Sequence, residues 1–196
     1  GKALNEGLKY CSYDLVARMD TDDISKPDRF EKQIKIFQEH PELDVVGAWI
    51  EEFEGDTSKV TSIRKLPEQP SEIYEYGKKR SPINHPCVMY RKSAVLRVGG
   101  YHKFPEDYYL WGYMLKAGCK FYNIQESLLY FRFSRDVFRR RGGWSYAMKE
   151  LALQCELLRI GYINYRRFVL NVMIRFTTRM MPNRMREIFY KRMLRK

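Results

Sequence analysis

Leu15-Val16-Ala17-Arg18-Met19 is a short, mostly apolar run that ends abruptly in the carboxylates of Asp20-Thr21-Asp22-Asp23. A buried strand that delivers side chains to its C-terminal edge has this form. Three acids within four residues repel one another unless a cation neutralises them or solvent screens them. A hard divalent ion, manganese or magnesium, is the natural partner, because it takes carboxylate oxygens and completes its shell from a substrate diphosphate. Taken alone, the cluster also reads as a solvated acidic turn at the start of a helix.

The sequence then alternates between helix and strand signals. Ser25-Lys26-Pro27-Asp28 resembles a capping box opening a helix with Phe30, Ile34 and Phe37 at helical spacing, closed by Pro41. Val45 to Ile50 predicts a second strand, Gly55-Asp56 a turn, and Val60 to Leu66 a third strand that pairs back. Ser71 caps another helix. Asn84-His85-Pro86 falls on or beside a connecting loop, followed by a short helix from Ser93 to Val98 and a Gly99-Gly100 stop.

Pro105-Glu106-Asp107 opens a helix whose Leu110, Trp111, Met114 and Leu115 form an apolar stripe, with Gly118 as its left-handed terminator. Phe121 to Ile124 and Leu128 to Phe133 are two short strand candidates. Three helices follow, Ser145 to Ile160, Tyr165 to Met180 and Asn183 to the end, broken at Gly161 and Pro182.

With 196 residues, 44% of them hydrophobic, the chain can bury one sizeable core and a helical appendage, but not two full domains. The net charge of +12 is unevenly spread: residues 1–134 balance 20 basic against 20 acidic side chains, whereas residues 135–196 carry 16 Lys and Arg against four acids. A basic tail fits a polyanionic partner such as phosphate, nucleic acid or an anionic membrane face. Cys11, Cys87, Cys119 and Cys155 are widely separated with no C-x-x-C pair, which argues against a zinc knuckle or a disulfide framework and fits a reducing cytoplasm. No apolar run reaches the roughly 18 to 20 residues of a spanning helix.

Glu106-Asp107 is the second acidic site. Carboxylates in the first turn of a helix are held ionised by its positive end, and an ionised carboxylate can act as a general base. Routine helix N-terminal charge preference gives the same pattern, so the surroundings decide. The segment Ala17-Arg18-Met19-Asp20-Thr21-Asp22-Asp23-Ile24-Ser25, followed by Pro27-Asp28-Arg29-Phe30-Glu31-Lys32-Gln33, resembles the D-x-D region of family 2 glycosyltransferases. Asn84-His85-Pro86, Gly99-Gly100-Tyr101 and Glu106-Asp107-Tyr108-Tyr109-Leu110-Trp111 follow in the order and approximate spacing of that family. Each motif is weak singly; as an ordered set over residues 1–135 they are specific.

The resemblance implies an α/β fold of GT-A type, a Rossmann-like mixed sheet flanked by helices. It implies a catalytic domain over 1–135 and a basic helical extension over 136–196. It implies inverting transfer from a nucleotide-sugar, expected to be a UDP-sugar, to a glycan or lipid-linked acceptor. Asp20 and Asp22 would flank the diphosphate, with Asp22 the more direct metal ligand, and Asp107 would be the base, with Glu106 beside it either holding an acceptor hydroxyl or orienting Asp107. His85, Tyr108 and Trp111 are candidates to touch sugar or acceptor, although the spacing of Trp111 also suits a core residue. Arg29 is expected as an ion-pair or helix-start residue. In the family the units gripping the nucleotide base precede the D-x-D, and only 19 residues precede Asp20 here, so a truncated donor-base pocket, and weak activity of this part alone, are expected.

Arg139-Arg140-Arg141-Gly142-Gly143-Trp144 is similar to the basic, Trp-containing segment that follows the base in processive members, but Gly143 stands where Arg is expected. Processive synthesis is therefore not implied, while Arg140 remains a diphosphate candidate. In the last helix Met185, Ile188, Phe189 and Met193 share one side with six basic residues elsewhere, which suits either an interfacial helix on an anionic bilayer at the inner face of the membrane or a helix packed on the domain. A metal-dependent nuclease or nucleotidyl transferase with a nucleic-acid-binding tail is the alternative. It accounts for the charge but not for the charge-balanced first two thirds.

Overall fold

The computed structural model describes residues 1–102, 105–133 and 142–181. Among these, six strands form one sheet: β1 (Leu15–Ala17), β2 (Ile24–Ser25), β3 (Val45–Phe53), β4 (Val60–Arg64), β5 (Met89–Arg91) and β6 (Phe121–Arg132). The order is β1-β5-β3-β6-β2, with β4 also paired to β3. β3 and β6 run parallel and the remaining pairs are antiparallel. The helices are α1 (Lys2–Tyr10), α2 (Arg29–Glu39), α3 (Pro70–Gly77), α4 (Lys92–Arg97), α5 (Glu106–Lys116), α6 (Trp144–Arg159) and α7 (Tyr165–Met180), with a single 3-10 turn at His85–Cys87.

β3 is central, and its Val45-Val46-Gly47-Ala48 start is fully buried, which is why it reads as a continuous apolar run. The two strand candidates after Gly118 are one strand. Ile124 pairs with Ala48 and Ser127 with Trp49, so Gln125 and Glu126 bulge out of the ladder without ending it. These polar residues mark a bend, and the bend curls the sheet. The curl lets the six-residue segment Arg18–Asp23 run from β1, at one end of the strand order, to β2 at the other.

α2 departs from its expected start and face. Ser25 lies in β2, paired with Leu129, and the helix begins at Arg29 with Asp28 making no side-chain cap bond. Phe30 and Ile34 are exposed, whereas Arg29, Gln33 and Phe37 point inward. α3 is capped by Gln69, whose side chain and that of Glu72 bond reciprocally to the backbone, rather than by Ser71. Gly99, Gly100, Gly118 and Gly161 all adopt positive φ, as their positions at helix ends predict.

α5 is buried on nearly every side, not along a stripe: Tyr108, Tyr109, Leu110, Trp111, Met114 and Leu115 are all in the core. The extra cover comes from α6. Leu153 and Leu157 of α6, with Tyr162 and Ile163 after it, belong to the same cluster as Trp111 and Phe121. A Cβ on Gly112 would meet Leu157 at 2.5 Å, so the two helices touch where α5 has no side chain. Residues 134–141 and 182–196, including Arg139 to Arg141 and the last helix foreseen in the sequence, lie outside the described residues. No helix among the described residues is long and apolar enough to cross a membrane.

The buried α2 face is also a tie. The Arg29 guanidinium donates to the carbonyls of Arg18 (2.8 Å) and Val88 (3.2 Å) and to Gln33 Oε1 (3.0 Å), and the Gln33 amide donates to Val46 (3.0 Å) and Cys87 (3.1 Å). Replacing Arg29 by Leu leaves three buried acceptors unmade. It should lower the free energy of unfolding by about 3 kcal/mol, as for other broken buried charge contacts, measured by denaturant titration at neutral pH.

Candidate active site at the acidic loop

The acidic loop is fixed at both ends. At its start, Arg18 donates its backbone N–H to Val88 (2.9 Å) and its carbonyl is held by Arg29. At its end, the Asp23 carboxylate accepts the backbone N–H of Arg132 (2.9 Å), and the Arg132 side chain donates to the carbonyls of Asp22 (3.0 Å) and Gly55 (3.2 Å). A turn closes between them, with Asp23 N–H donating to the Asp20 carbonyl.

This scaffold gives the three acids three environments. Asp20 is forked by the Arg18 guanidinium at 3.0 and 2.5 Å. Asp23 is 7% exposed, and burial, with the charges of Asp20 and Asp22 nearby, pushes its carboxyl up to about 6 despite the Arg132 N–H. Asp22 is exposed. Among the described residues no group of three His, Cys, Asp or Glu side chains is arranged to hold a metal ion. Two carboxylates, one exposed and one already paired to Arg18, fit a cation that takes its remaining ligands from substrate and water, not a self-sufficient cage.

Asn84-His85-Pro86 is not an open loop. Asn84 is fully buried and its amide donates to the carbonyls of Ala48 (2.9 Å) and Arg64 (3.3 Å), fastening the 3-10 turn to β3 and β4. His85 is 8% exposed, with its ring 5.8 Å from Trp111 and its Nε2 3.1 Å from the Tyr101 hydroxyl, which in turn donates to Tyr90. Burial drives the His85 pKa down to about 3, with Arg18 adding to the effect and Asp20 and Glu106 opposing it, so the ring sits in the field of both acidic sites.

Glu106 and Asp107 occupy the first turn of α5, partly buried, behind Pro105. The segment before them is held by Asn5 of α1, whose amide donates to the Tyr101 carbonyl (2.7 Å) and accepts the Tyr101 N–H (2.8 Å). A Cβ on Gly100 would strike Asn5 Oδ1 at 2.6 Å. Sequence reasoning missed Asn5; its only signal was a polar side chain within the first helix.

Two expected sugar contacts are corrected. Trp111 is 0% exposed, wedged between His85 and Phe121, and is a core residue. Tyr108 is buried and spends its hydroxyl on the Gly77 carbonyl (2.7 Å), so it presents no stacking face. Trp111 faces the 3-10 turn and β6, and Tyr108 faces the end of α3 and Arg175 of α7. Arg140 lies outside the described residues. Of the remaining candidates, Asp20 and Glu106 both act on His85 through their charges, with Asp22 two residues from the first and Asp107 next to the second.

A curled mixed sheet flanked by helices is the GT-A arrangement of nucleotide-sugar-dependent glycosyltransferases. Solved structures agree on the fold: Staphylococcus aureus TarS in complex with UDP-GlcNAc matches 97% of this chain and 55% of its own at a TM-score of 0.61 and 13% identity. The mannosyltransferase PcManGT from Pyrobaculum calidifontis, in complex with GDP-Man and Mn2+, matches 88% of this chain and 47% of its own at 0.54 and 14% identity.

The chain belongs to glycosyl transferase family 2, whose model matches residues 1–99. It is 40% identical, over all of its length and 72% of the relative's, to the Escherichia coli UDP-Gal:alpha-D-GlcNAc-diphosphoundecaprenol beta-1,3-galactosyltransferase. It is 37% identical, over 98% of its length and 72% of the relative's, to the amylovoran biosynthesis glycosyltransferase AmsE of Erwinia amylovora. The comparisons give the nuclease alternative no support.

The His85 environment sets a pH dependence. The folded ring stays neutral down to about 3, while an unfolded histidine protonates near 6.5. Stability is therefore complete above about pH 6.5 and erodes as pH falls towards 3, by up to about 1.4 kcal/mol per pH unit. Between pH 7 and 5, His85→Gln should lose about 1 to 2 kcal/mol less than the parent protein, read from urea midpoints at each pH.

Proposed function

We propose that this chain catalyses inverting transfer of a hexose from a UDP-sugar to a lipid-diphosphate-linked saccharide, in building a bacterial surface polysaccharide at the cytoplasmic face of the membrane. The observation that carries this reading is the 40% identity, running the whole length of the chain, to a transferase that joins UDP-Gal to a diphosphoundecaprenol-linked GlcNAc. The four free cysteines suit a reducing compartment.

In this reading Asp107 is the general base. Its place in the first turn of α5 supports the role, because the helix N-terminus favours the ionised carboxylate. The acceptor hydroxyl gives its proton to Asp107 as its oxygen bonds to the anomeric carbon, and the bond from that carbon to the diphosphate oxygen breaks on the opposite side. Glu106 orients the acceptor. His85, neutral and anchored through Tyr101, is a buried polar group that feels both Asp20 and Glu106.

Asp22 and Asp20 would hold a manganese or magnesium ion together with the donor diphosphate, and Arg18 would give up part of its grip on Asp20 as they do so. When bound, the ion supplies positive charge to the departing nucleoside diphosphate. The division at residue 135 is kept as a functional one, with the motifs before it and the basic helices after it. Arg140 is kept as a diphosphate ligand.

The test uses UDP-galactose and other UDP-hexoses, a short-chain lipid-diphosphate GlcNAc acceptor, and manganese or magnesium. Product is followed by chromatography and its anomeric configuration by NMR. The parent protein should form a β-linked product. Asp107→Asn should lower kcat about a thousandfold while donor binding persists, and Asp22→Ala should abolish metal-stimulated donor binding. An Asp107→Asn protein as active as the parent would overturn the assignment of the base, and absence of turnover with every UDP-hexose would overturn the donor class.

A further inference from the structure

Helix α7 is inside out. Its buried residues are polar: Asn171 donates to the Lys78 carbonyl and to Gln154 (2.8 Å each), Thr178 is buried, and Arg175 and Arg179 both pair with Glu150 of α6 at 2.9 and 2.7 Å. Its outer face is apolar. Leu170, Met173, Ile174 and Met180 are 47 to 62% exposed. Phe176 extends the face to the exposed Trp144 of α6, its ring 5.6 Å away and edge-on. A helix packed on a domain with a solvated exterior has the reverse pattern.

The charges around this face select its partner. α7 contains no acidic residue, and Arg175 and Arg179 share the single carboxylate of Glu150 beneath it. Arg166 and Arg167 flank one end, and the sequence that follows, residues 182–196, adds six basic residues against Glu187. A partner must therefore accept a broad apolar strip and a surplus of positive charge together. A bilayer with anionic headgroups offers both at one depth, and an edge Trp suits its interface.

We infer that the outer face of α7, with Trp144, rests in the interfacial layer of an anionic membrane. The inference rests on the proposed lipid-linked acceptor and deepens it. The Arg175 guanidinium lies over the Tyr108 ring, 5.5 Å from its centre, so the membrane-facing helix packs on the same helix that carries Asp107. A saccharide held at the bilayer by a lipid diphosphate then meets the acidic site with a fixed orientation.

The test is co-sedimentation of the full chain with phosphatidylcholine vesicles, with and without phosphatidylglycerol, for the parent and for Met173→Asp/Ile174→Asp. Both positions are exposed, so the double variant should melt as the parent does. The parent should bind the anionic vesicles with a blue shift of Trp fluorescence, and the variant about tenfold more weakly or worse. Equal binding by the two overturns the inference. So does a vesicle-free dimer that the variant breaks, which would make a second copy the occupant. A chain ending at Met181 that gains binding the full chain lacks would also overturn it, by showing that residues 182–196 cover the face. Turnover on the short-chain lipid-diphosphate GlcNAc acceptor, without vesicles, separates the two ideas: no turnover by either protein, with vesicle binding and its loss as expected, overturns the acceptor reading and leaves the surface standing.

Discussion

A single guanidinium sits beneath the candidate site. Arg29 is fully buried, and burial lowers its pKa, yet its donors reach the carbonyls of Arg18 and Val88 and, through Gln33, those of Val46 and Cys87 are held as well. Burying a charge is costly, and an apolar side chain would fill the same volume more cheaply. What an apolar residue cannot do is bind four carbonyls that belong to three chain segments. The Arg29 and Gln33 pair gathers the exit of β1, the start of β3 and the turn before β5 at one point, two residues before Asp20.

From that anchor the acidic loop acquires its chemistry by environment rather than by composition. Three aspartates of identical structure differ because one is forked by Arg18, one is buried against the Arg132 amide, and one faces solvent. Their mutual repulsion is thereby divided. Asp20 is compensated by a cation of the protein, the rise of the Asp23 pKa relieves the buried position, and Asp22 lies exposed at the surface. Arg132 ties the far end of the loop to β6, so the acids are fastened to the long bent strand.

Much of this was legible in the sequence wherever one residue type has one physical use. Glycines at helix ends, the apolar start of β3 and the carboxylates at the α5 N-terminus all behave as their positions predict. The reading failed where a polar residue serves the interior. Phe30 and Ile34 looked like the inner face of α2, but the carbonyls at the strand ends need donors, and Arg29 and Gln33 supply them. Gln125 and Glu126 looked like a strand break because a bulge and a loop expose polar side chains alike. Tyr108 looked available because the Gly77 carbonyl that takes its hydroxyl and the Arg175 guanidinium over its ring are remote in sequence, whereas the spacing of Trp111 already suited the core where it lies.

The same confusion of polar with outward explains α7. Asn171, Arg175 and Arg179 would place its solvent side by periodicity, yet each meets a fixed partner, and two of them share one carboxylate of α6. Once those partners are satisfied, the orientation of the helix is set, because turning it outward would strand Glu150 without its cations and leave the Lys78 carbonyl unmade. The exposed apolar strip is thus a consequence of the buried ion cluster, not a failure of packing. Since Arg175 also lies over Tyr108, the cluster that turns α7 inside out is in contact with α5, one residue from Asp107. α6 and α7 are therefore built into the core that carries the acids, and a surface partner bound to α7 would act on the site through packed side chains rather than through a flexible tether.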